Sequence, residues 1–526
     1  GAVMGLCVIG LGLLGIGGVF VVLGLKTASV ITGFGLGASS AAFVGRAVSG
    51  IYKKAADAGA VIVEKAEGAI SEGDPRNPLA IAGHGGDYVN HTTGMGSDLF
   101  ESYAGAIIAA ILIAAATKSI DPAFGYPFDL PALQGSVFPL TISAAGILAA
   151  ITGIMFVRGN EKSNLTSAIN TGKYLCYTIA AIFSFIISWA FFGNLNCAVS
   201  ILIGMLIGAV NGKVTDIYTS GNSRHLKKIA EQSQTGYLMI SEYGIGMLSV
   251  LWPIIFLAAG ILAANAFAGF YGIALAAAGL LTTTGMITAI DAFGPVSGNA
   301  GEIARMARLS DEDRIIMDQL TSAGRANAAA GKGFAIGAAA LTALALIVSY
   351  ALITDLKTIS LLKPVVVAGL FLGAMLPVLF SAMTMNATGN TTYKLVEDVK
   401  GQFHSDAGIL TGTSRPDYAK CADTGTKAAL KGIIAPGMMA VIAPLAVGIF
   451  MGTEALGGLL AGALTSGVLT AIILSNTGGV WNHAQKFTTG DPFKDAAGYS
   501  INVFIKLMVM VSVVFAPLLV SIGGLL

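Results

Sequence analysis

The chain has 526 residues, of which 55% are hydrophobic and only 11% charged. A soluble domain carries about 25% charged residues, so a water-soluble enzyme is excluded and a polytopic membrane protein is indicated. The net charge of +1 offers no field for nucleic acid, and the four scattered cysteines (Cys7, Cys176, Cys197, Cys421) have neither disulfide nor metal spacing.

Apolar runs of about 20 residues, the length that crosses a ~30 Å hydrocarbon core as helix, recur along the chain. They begin near Ala2, Val30, Leu99, Val137, Leu175, Ala198, Gly236, Ala266, Phe334, Val365, Gly432, Gly457 and Ile501. Only helices or closed barrels satisfy their backbone inside lipid, and runs this apolar are helices. The expected fold is therefore an all-α membrane protein, a polytopic bundle of about thirteen helices forming one membrane-embedded domain over 1–526. The 69 glycines suit close helix packing through small residues.

Lys and Arg concentrate in 46–76, 158–173, 213–228, 305–325, 394–431 and 486–494, and alternate with poorer loops such as 119–135 and 193–196. By the positive-inside rule the rich set is cytoplasmic, which puts Gly1 inside and Leu526 outside, with Lys357 and Lys363 as exceptions. The sequons at Asn90, Asn164, Asn386 and Asn390 then fall on the cytoplasmic side and read as accidental. No soluble domain of useful length exists, so any chemistry belongs to the cytoplasmic ends of the helices.

The polar residues there gather in three places. The first holds GRAVSGIYKKAADAG, SEGDPRNP and GHGGDYVNHTTGMGSDLFESY, ending at Tyr103. The second holds DAFGPVSGNAGEIA, from Asp291, and TSAGRANAAAGKGFAIG, which contains Lys332. The third is GGVWNHAQKFTTGDPFKDAAGYSINVFIKL, running to Leu507.

These phrases, with PDYAKC and the opening GAVMGL, resemble the membrane-bound pyrophosphatases, pumps that couple diphosphate hydrolysis to H⁺ or Na⁺ transport. The resemblance runs almost end to end. It implies a family fold of about sixteen helices, of which this chain is expected to lack the first three. With no initiator Met before Gly1, it is read as a truncated or processed product. It also implies a homodimer in a lipid bilayer.

Diphosphate carries several negative charges, so its hydrolysis requires cations, Lys or Arg, and an oriented water. Mg²⁺ takes hard oxygen ligands. The resemblance gives the metal role to Asp57, Glu72, Asp87, Asp491 and Asp495, and the positioning of water to Asp57 and Asp87. Lys54, Lys332 and Lys494 would hold phosphates. Ala328 is the potassium-dependent choice at its position, so K⁺ is an implied cofactor beside Mg²⁺. Deeper in the membrane, where ionisable residues are costly and functional by default, Arg46, Asp98 and Lys506 match the family's ion gate. Their bland reading is a salt-bridge cluster holding three helices together. The acid found one turn after LFESY in many pumps is Gly105 here.

The chain also departs from the pattern. Val61, Gly83, His91, Gly298 and Asn482 stand where the family has a metal-binding Asp, Arg325 where it has Asn, and Gln485 where it has Lys. Most of the loop before GDPFKD is missing. Hydrolysis is therefore expected to be impaired. His84, Asp87 and His91, at i, i+3 and i+7, would share a helix face, and imidazole favours Zn²⁺-like ions over Mg²⁺; the bland reading is polar pocket residues. The alternative function is a hydrolysis-deficient relative: an anion- or metal-binding membrane protein, a passive ion pathway or a complex partner. A pocket that has lost acids and kept lysines could hold an anion directly.

Overall fold

The computed structural model describes residues 1–68, 70–71, 73–116, 128, 130–159, 165–219, 238–307, 309–484, 497–498 and 500–525, with backbone alone at 26–28, 238–240, 325–329 and 481–484. Among the described residues there is no β-strand. The helices in chain order are α1 (Ala2–Leu23), α2 (Ile31–Glu67), α3 (Pro78–Val89), α4 (Gly96–Ala115), α5 (Ala132–Met155), α6 (Leu165–Phe192), α7 (Asn196–Thr219), α8 (Leu238–Leu248), α9 (Leu251–Leu281), α10 (Thr284–Met306), α11 (Asp311–Ile353), α12 (Pro364–Ser405), α13 (Tyr418–Gly432), α14 (Ile434–Ala484) and α15 (Ser500–Ile522).

Ten helical stretches among the described residues are long and apolar enough to cross a membrane. Two of them break into two passages, the second of the α9 stretch continuing from Leu281 into α10. The stretch containing α9 breaks at Gly269 (φ 59°) and the one containing α14 at Gly452 (φ 84°), left-handed angles that glycine adopts without steric cost. Adding α2, whose 37 residues carry the charged face of the site, brings the passages to thirteen, the number read from the sequence.

The passages form two shells. The stretches through α4, α11 and α15 are mostly buried by protein, whereas those of α6 and α14 leave most of their surface outward. Outward apolar faces such as Leu262, Phe371 and Trp189 are the lipid side, as expected of helices that are hydrophobic all round.

Glycine sets how closely the shells approach. On α12, a Cβ at Gly369 or Gly373 would overlap the carbonyls of Ala455 or Leu459. Reciprocally, one at Gly458 or Gly462 on α14 would overlap those of Val366 or Leu370. Each helix thus offers a Gly-xxx-Gly pair to the other's backbone, an interface driven by van der Waals packing.

The DPRNP turn is built locally. Arg76 donates from Nη2 and Nε to the two carboxylate oxygens of Asp74 (2.6 and 3.0 Å) and from Nη1 to the Leu410 carbonyl (2.6 Å). Asn77 then caps α3, its side chain accepting from the Leu79 N–H at 3.1 Å with Pro78 at the first helical position, an arrangement worth about 1 kcal/mol.

Candidate functional site

One end of the bundle gathers carboxylates from three helices. Asp57 lies on α2, Asp87 on α3 and Asp291 on α10. Two basic side chains thread them together. Lys53 Nζ is 2.6 Å from Asp57 Oδ1 and 3.8 Å from Asp87 Oδ1. His91 Nδ1 is 2.9 Å from Asp291 Oδ2, and its Nε2 is 3.9 Å from Asp87 Oδ1. Asp291 is 1% exposed, and its other oxygen has no hydrogen-bond partner among the described residues. Lys332 and Lys54 are near enough to Asp87 to act on it electrostatically, so two of the three expected phosphate lysines face the same carboxylate.

The wide π turn Asn90–Met95 follows α3, and it changes the expected histidine geometry. His91 turns to Asp291 on α10. His84 contributes its carbonyl, which accepts from Asn299 Nδ2 at 3.1 Å. The His84 side chain remains close enough to Asp87 to interact with it electrostatically, and His91 reaches Asp87 only at 3.9 Å. No group of three or more His, Cys, Asp or Glu among the described residues is arranged as a metal site.

The glycines that replace acids leave their space open. A Cβ at Gly83 would lie 3.0 Å from Asp57 Oδ1, and one at Gly298 would meet nothing within 4 Å. Val61 is half-buried. Glu72, Gln485, Asp491, Lys494 and Asp495 lie outside the described residues, as do the side chains of Arg325, Ala328 and Asn482.

Among the described residues the donor chemistry for Mg²⁺ is three carboxylates, each already giving one oxygen to Lys53 or His91. That is no six-oxygen cage. It does fit the ion's usual habit of keeping several waters and taking one or two carboxylates plus substrate phosphates, since Asp57, Asp87 and Asp291 each retain a second oxygen.

Directly beneath, inside the membrane, lies a cluster of four buried charges. Lys506 Nζ on α15 is 2.6 Å from Asp98 Oδ1 and 2.9 Å from Glu101 Oε2, both on α4. It also donates to the Asp98 carbonyl (2.9 Å) and Ser102 Oγ (2.7 Å). Arg46 on α2 stands 3.9 Å from Asp98 Oδ2 and donates to the Asn90 carbonyl at 3.0 Å. None of the four is more than 3% exposed. The three residues expected from sequence thus come together.

The fourth, Glu101, was missed, although it sits inside the LFESY phrase. Its spacing of three from Asp98 puts both acids on one face of α4, which is the signal that could have found it. Gly105, one turn on, is tightly packed: a Cβ there would lie 2.9 Å from the Thr342 methyl on α11, so an acid would require that side chain to shift.

Asn90 and His91 are adjacent, so the π turn holds Arg46 with one residue and Asp291 with the next. Wide turns of this kind occur frequently at functional sites.

Comparison with known proteins agrees with this arrangement. The sequence model of the family described as "Inorganic H+ pyrophosphatase" matches residues 1–489. The chain is 45% identical to a "Putative K(+)-stimulated pyrophosphate-energized sodium pump" of Clostridium tetani, over 94% of this chain and 76% of that protein. It is 39% identical to a "K(+)-insensitive pyrophosphate-energized proton pump" of Methanosarcina mazei, over 100% of this chain and 81% of the relative. A further "Putative K(+)-stimulated pyrophosphate-energized sodium pump", of Bacteroides thetaiotaomicron, is 38% identical over 99% of this chain and 82% of its own. With a family match over most of its length, and the expected buried charges assembled beneath a carboxylate set, the chain belongs to the membrane-bound inorganic pyrophosphatase family.

Proposed function

We propose that this protein is a pyrophosphate-energised cation pump, moving H⁺ or Na⁺, whose hydrolysis is slowed by its thinned carboxylate set. The observation that carries the reading is the four-charge cluster Arg46–Asp98–Glu101–Lys506, joined through Asn90 and His91 to the carboxylates above it. Burying four charges costs several kcal/mol per ion unless each is paired, and inside a membrane such residues mark ion pathways.

In this reading Lys54, Lys332 and Lys494 hold the phosphate oxygens. Asp57 and Asp87 orient the water that attacks one phosphorus while the bridging P–O bond breaks, releasing two phosphates. Asp57, Asp87 and Asp291, with Glu72, Asp491 and Asp495, would hold Mg²⁺, which when bound neutralises the diphosphate charge. Ala328 supports K⁺ dependence. The site faces the cytoplasm, and the pump works as a homodimer.

The second reading, a hydrolysis-deficient relative, is favoured by one observation: Lys53 and His91 already occupy carboxylate oxygens that divalent ions would otherwise take. Diphosphate hydrolysis by the purified protein, with Mg²⁺ and K⁺ and a Lys494→Ala control, separates the two. Turnover abolished by the control supports the pump, and ²²Na⁺ uptake against pH-dye quenching in vesicles then assigns the ion. A folded protein with no turnover overturns it.

A further inference from the structure

A second cationic pocket lies at the same end of the bundle but on its outer surface, between α12, the end of α13 and the start of α14. Its volume is about 500 Å³. Both α12 and α14 put it at the edge of the hydrocarbon core. From Pro364 the first twenty residues of α12 are apolar and reach Met383, about 30 Å at 1.5 Å per residue. The apolar run of α14 from Ile434 to its break at Gly452 covers a similar span. Gly432, which ends α13 just before α14 begins, packs on α12, where its Cβ would lie 2.7 Å from that of Ala387, so the two apolar runs end at about the same level.

Below that level the pocket is walled by Met383, Ala435 and Pro436. Above it stand Asn386, Asn390 and Lys394, four residues apart on one face of α12, opposite Lys431. Among the described residues no carboxylate lines the pocket. Lys420 and Lys427, nearby, are engaged by Asp398 at 3.0 Å and Asp423 at 2.7 Å, whereas Lys394 and Lys431 have no such carboxylate among the described residues. Tyr393, 70% exposed at the same depth, suits the headgroup layer, where aromatic rings with a polar tip concentrate.

We propose that this pocket binds the headgroup of an anionic phospholipid. The phosphate sits between Lys394 and Lys431, the two asparagine amides donate to headgroup oxygens, and an acyl chain lies on Met383, Ala435 and Pro436. A free phosphate would use the lysines and leave the apolar floor idle, whereas a lipid uses both halves. Basic pockets between helices at the inner membrane face take such headgroups, with each lysine near the surface contributing about fivefold in affinity.

The test is retention of spin-labelled phosphatidylglycerol against phosphatidylcholine by the full chain reconstituted in vesicles. The wild type should prefer phosphatidylglycerol. Lys394→Gln with Lys431→Gln should lose that preference, while Lys400→Gln, an exposed lysine outside the pocket, should keep it. Ala435→Trp, which fills the floor and leaves the charges alone, should weaken retention as well. Equal retention by wild type and double variant would overturn the proposal. So would full displacement of the lipid by millimolar inorganic diphosphate, which would make the pocket a soluble-anion site.

Discussion

Replacing Lys506 with Met tests the charge cluster directly. The ammonium makes four contacts of 2.6 to 2.9 Å, to Asp98 Oδ1, the Asp98 carbonyl, Ser102 Oγ and Glu101 Oε2. A methionine of similar length fills the space and makes none of them. Among the described residues Asp98 then keeps only Arg46, at 3.9 Å, and Glu101 loses its one cation. Removing one partner of a buried ion pair costs about 3–5 kcal/mol, mostly because the other charge is left uncompensated. If that is the origin of the cost, neutralising the stranded acids in the same background (Asp98→Asn with Glu101→Gln) must recover most of it. The assay is SDS-titration unfolding of the detergent-solubilised protein followed by circular dichroism. A Lys506→Met cost below about 1 kcal/mol, or a triple variant no more stable than the single one, would refute the reasoning.

Three further outcomes follow from contacts already described. Gly83→Asp places a carboxylate against Asp57 and should raise diphosphate affinity only when Mg²⁺ is present, measured calorimetrically with and without the metal; equal affinities in both would show that the pocket does not use the restored acid. Gly204→Ala drives a methyl into the Ala276 carbonyl on α9, while Gly17→Ala meets nothing within 4 Å. The first should cost about 1–3 kcal/mol or more, the second nothing, by thermal unfolding in detergent; equal shifts would count against backbone contact as the reason for glycine. At the DPRNP turn, hydrogen bonds from the Arg76 guanidinium hold the Asp74 carboxyl below its usual range. The stability this gives is complete above the unfolded value of about 3.9 and fades as pH falls through the lower folded value. Hydrogen exchange at 73–80 should therefore accelerate in acid for the wild type and show less pH dependence in Asp74→Asn.

The passages were legible because burial in lipid imposes one simple rule, a run of about twenty apolar residues. Even the break at Gly452 fell between spans already separated at Gly432 and Gly457. The buried charges Arg46, Asp98 and Lys506 were legible because charges are rare inside spans. What escaped was local geometry. Lys53 and Lys54 are neighbours in sequence, and only the helix phase decides that Lys53 pairs with Asp57 four residues on. The π turn leaves no composition signal, yet it sends His91 to Asp291, 200 residues away. Glu101 was overlooked because an acid was sought one turn later, at Gly105, where α11 packs closely.

The reciprocal glycines of α12 and α14 constrain how the pump can move. A one-residue slip of α14 past α12 would drive the side chains beside Gly369, Gly373, Gly458 and Gly462 into opposing carbonyls. Sliding between these two helices is blocked by hard-sphere contact, and packed interfaces of this kind are bistable at most, never continuously deformable. Short of such a discrete jump, α12 and the half of α14 after Gly452 move together in any conformational change, and gradual displacement falls to other contacts in the bundle.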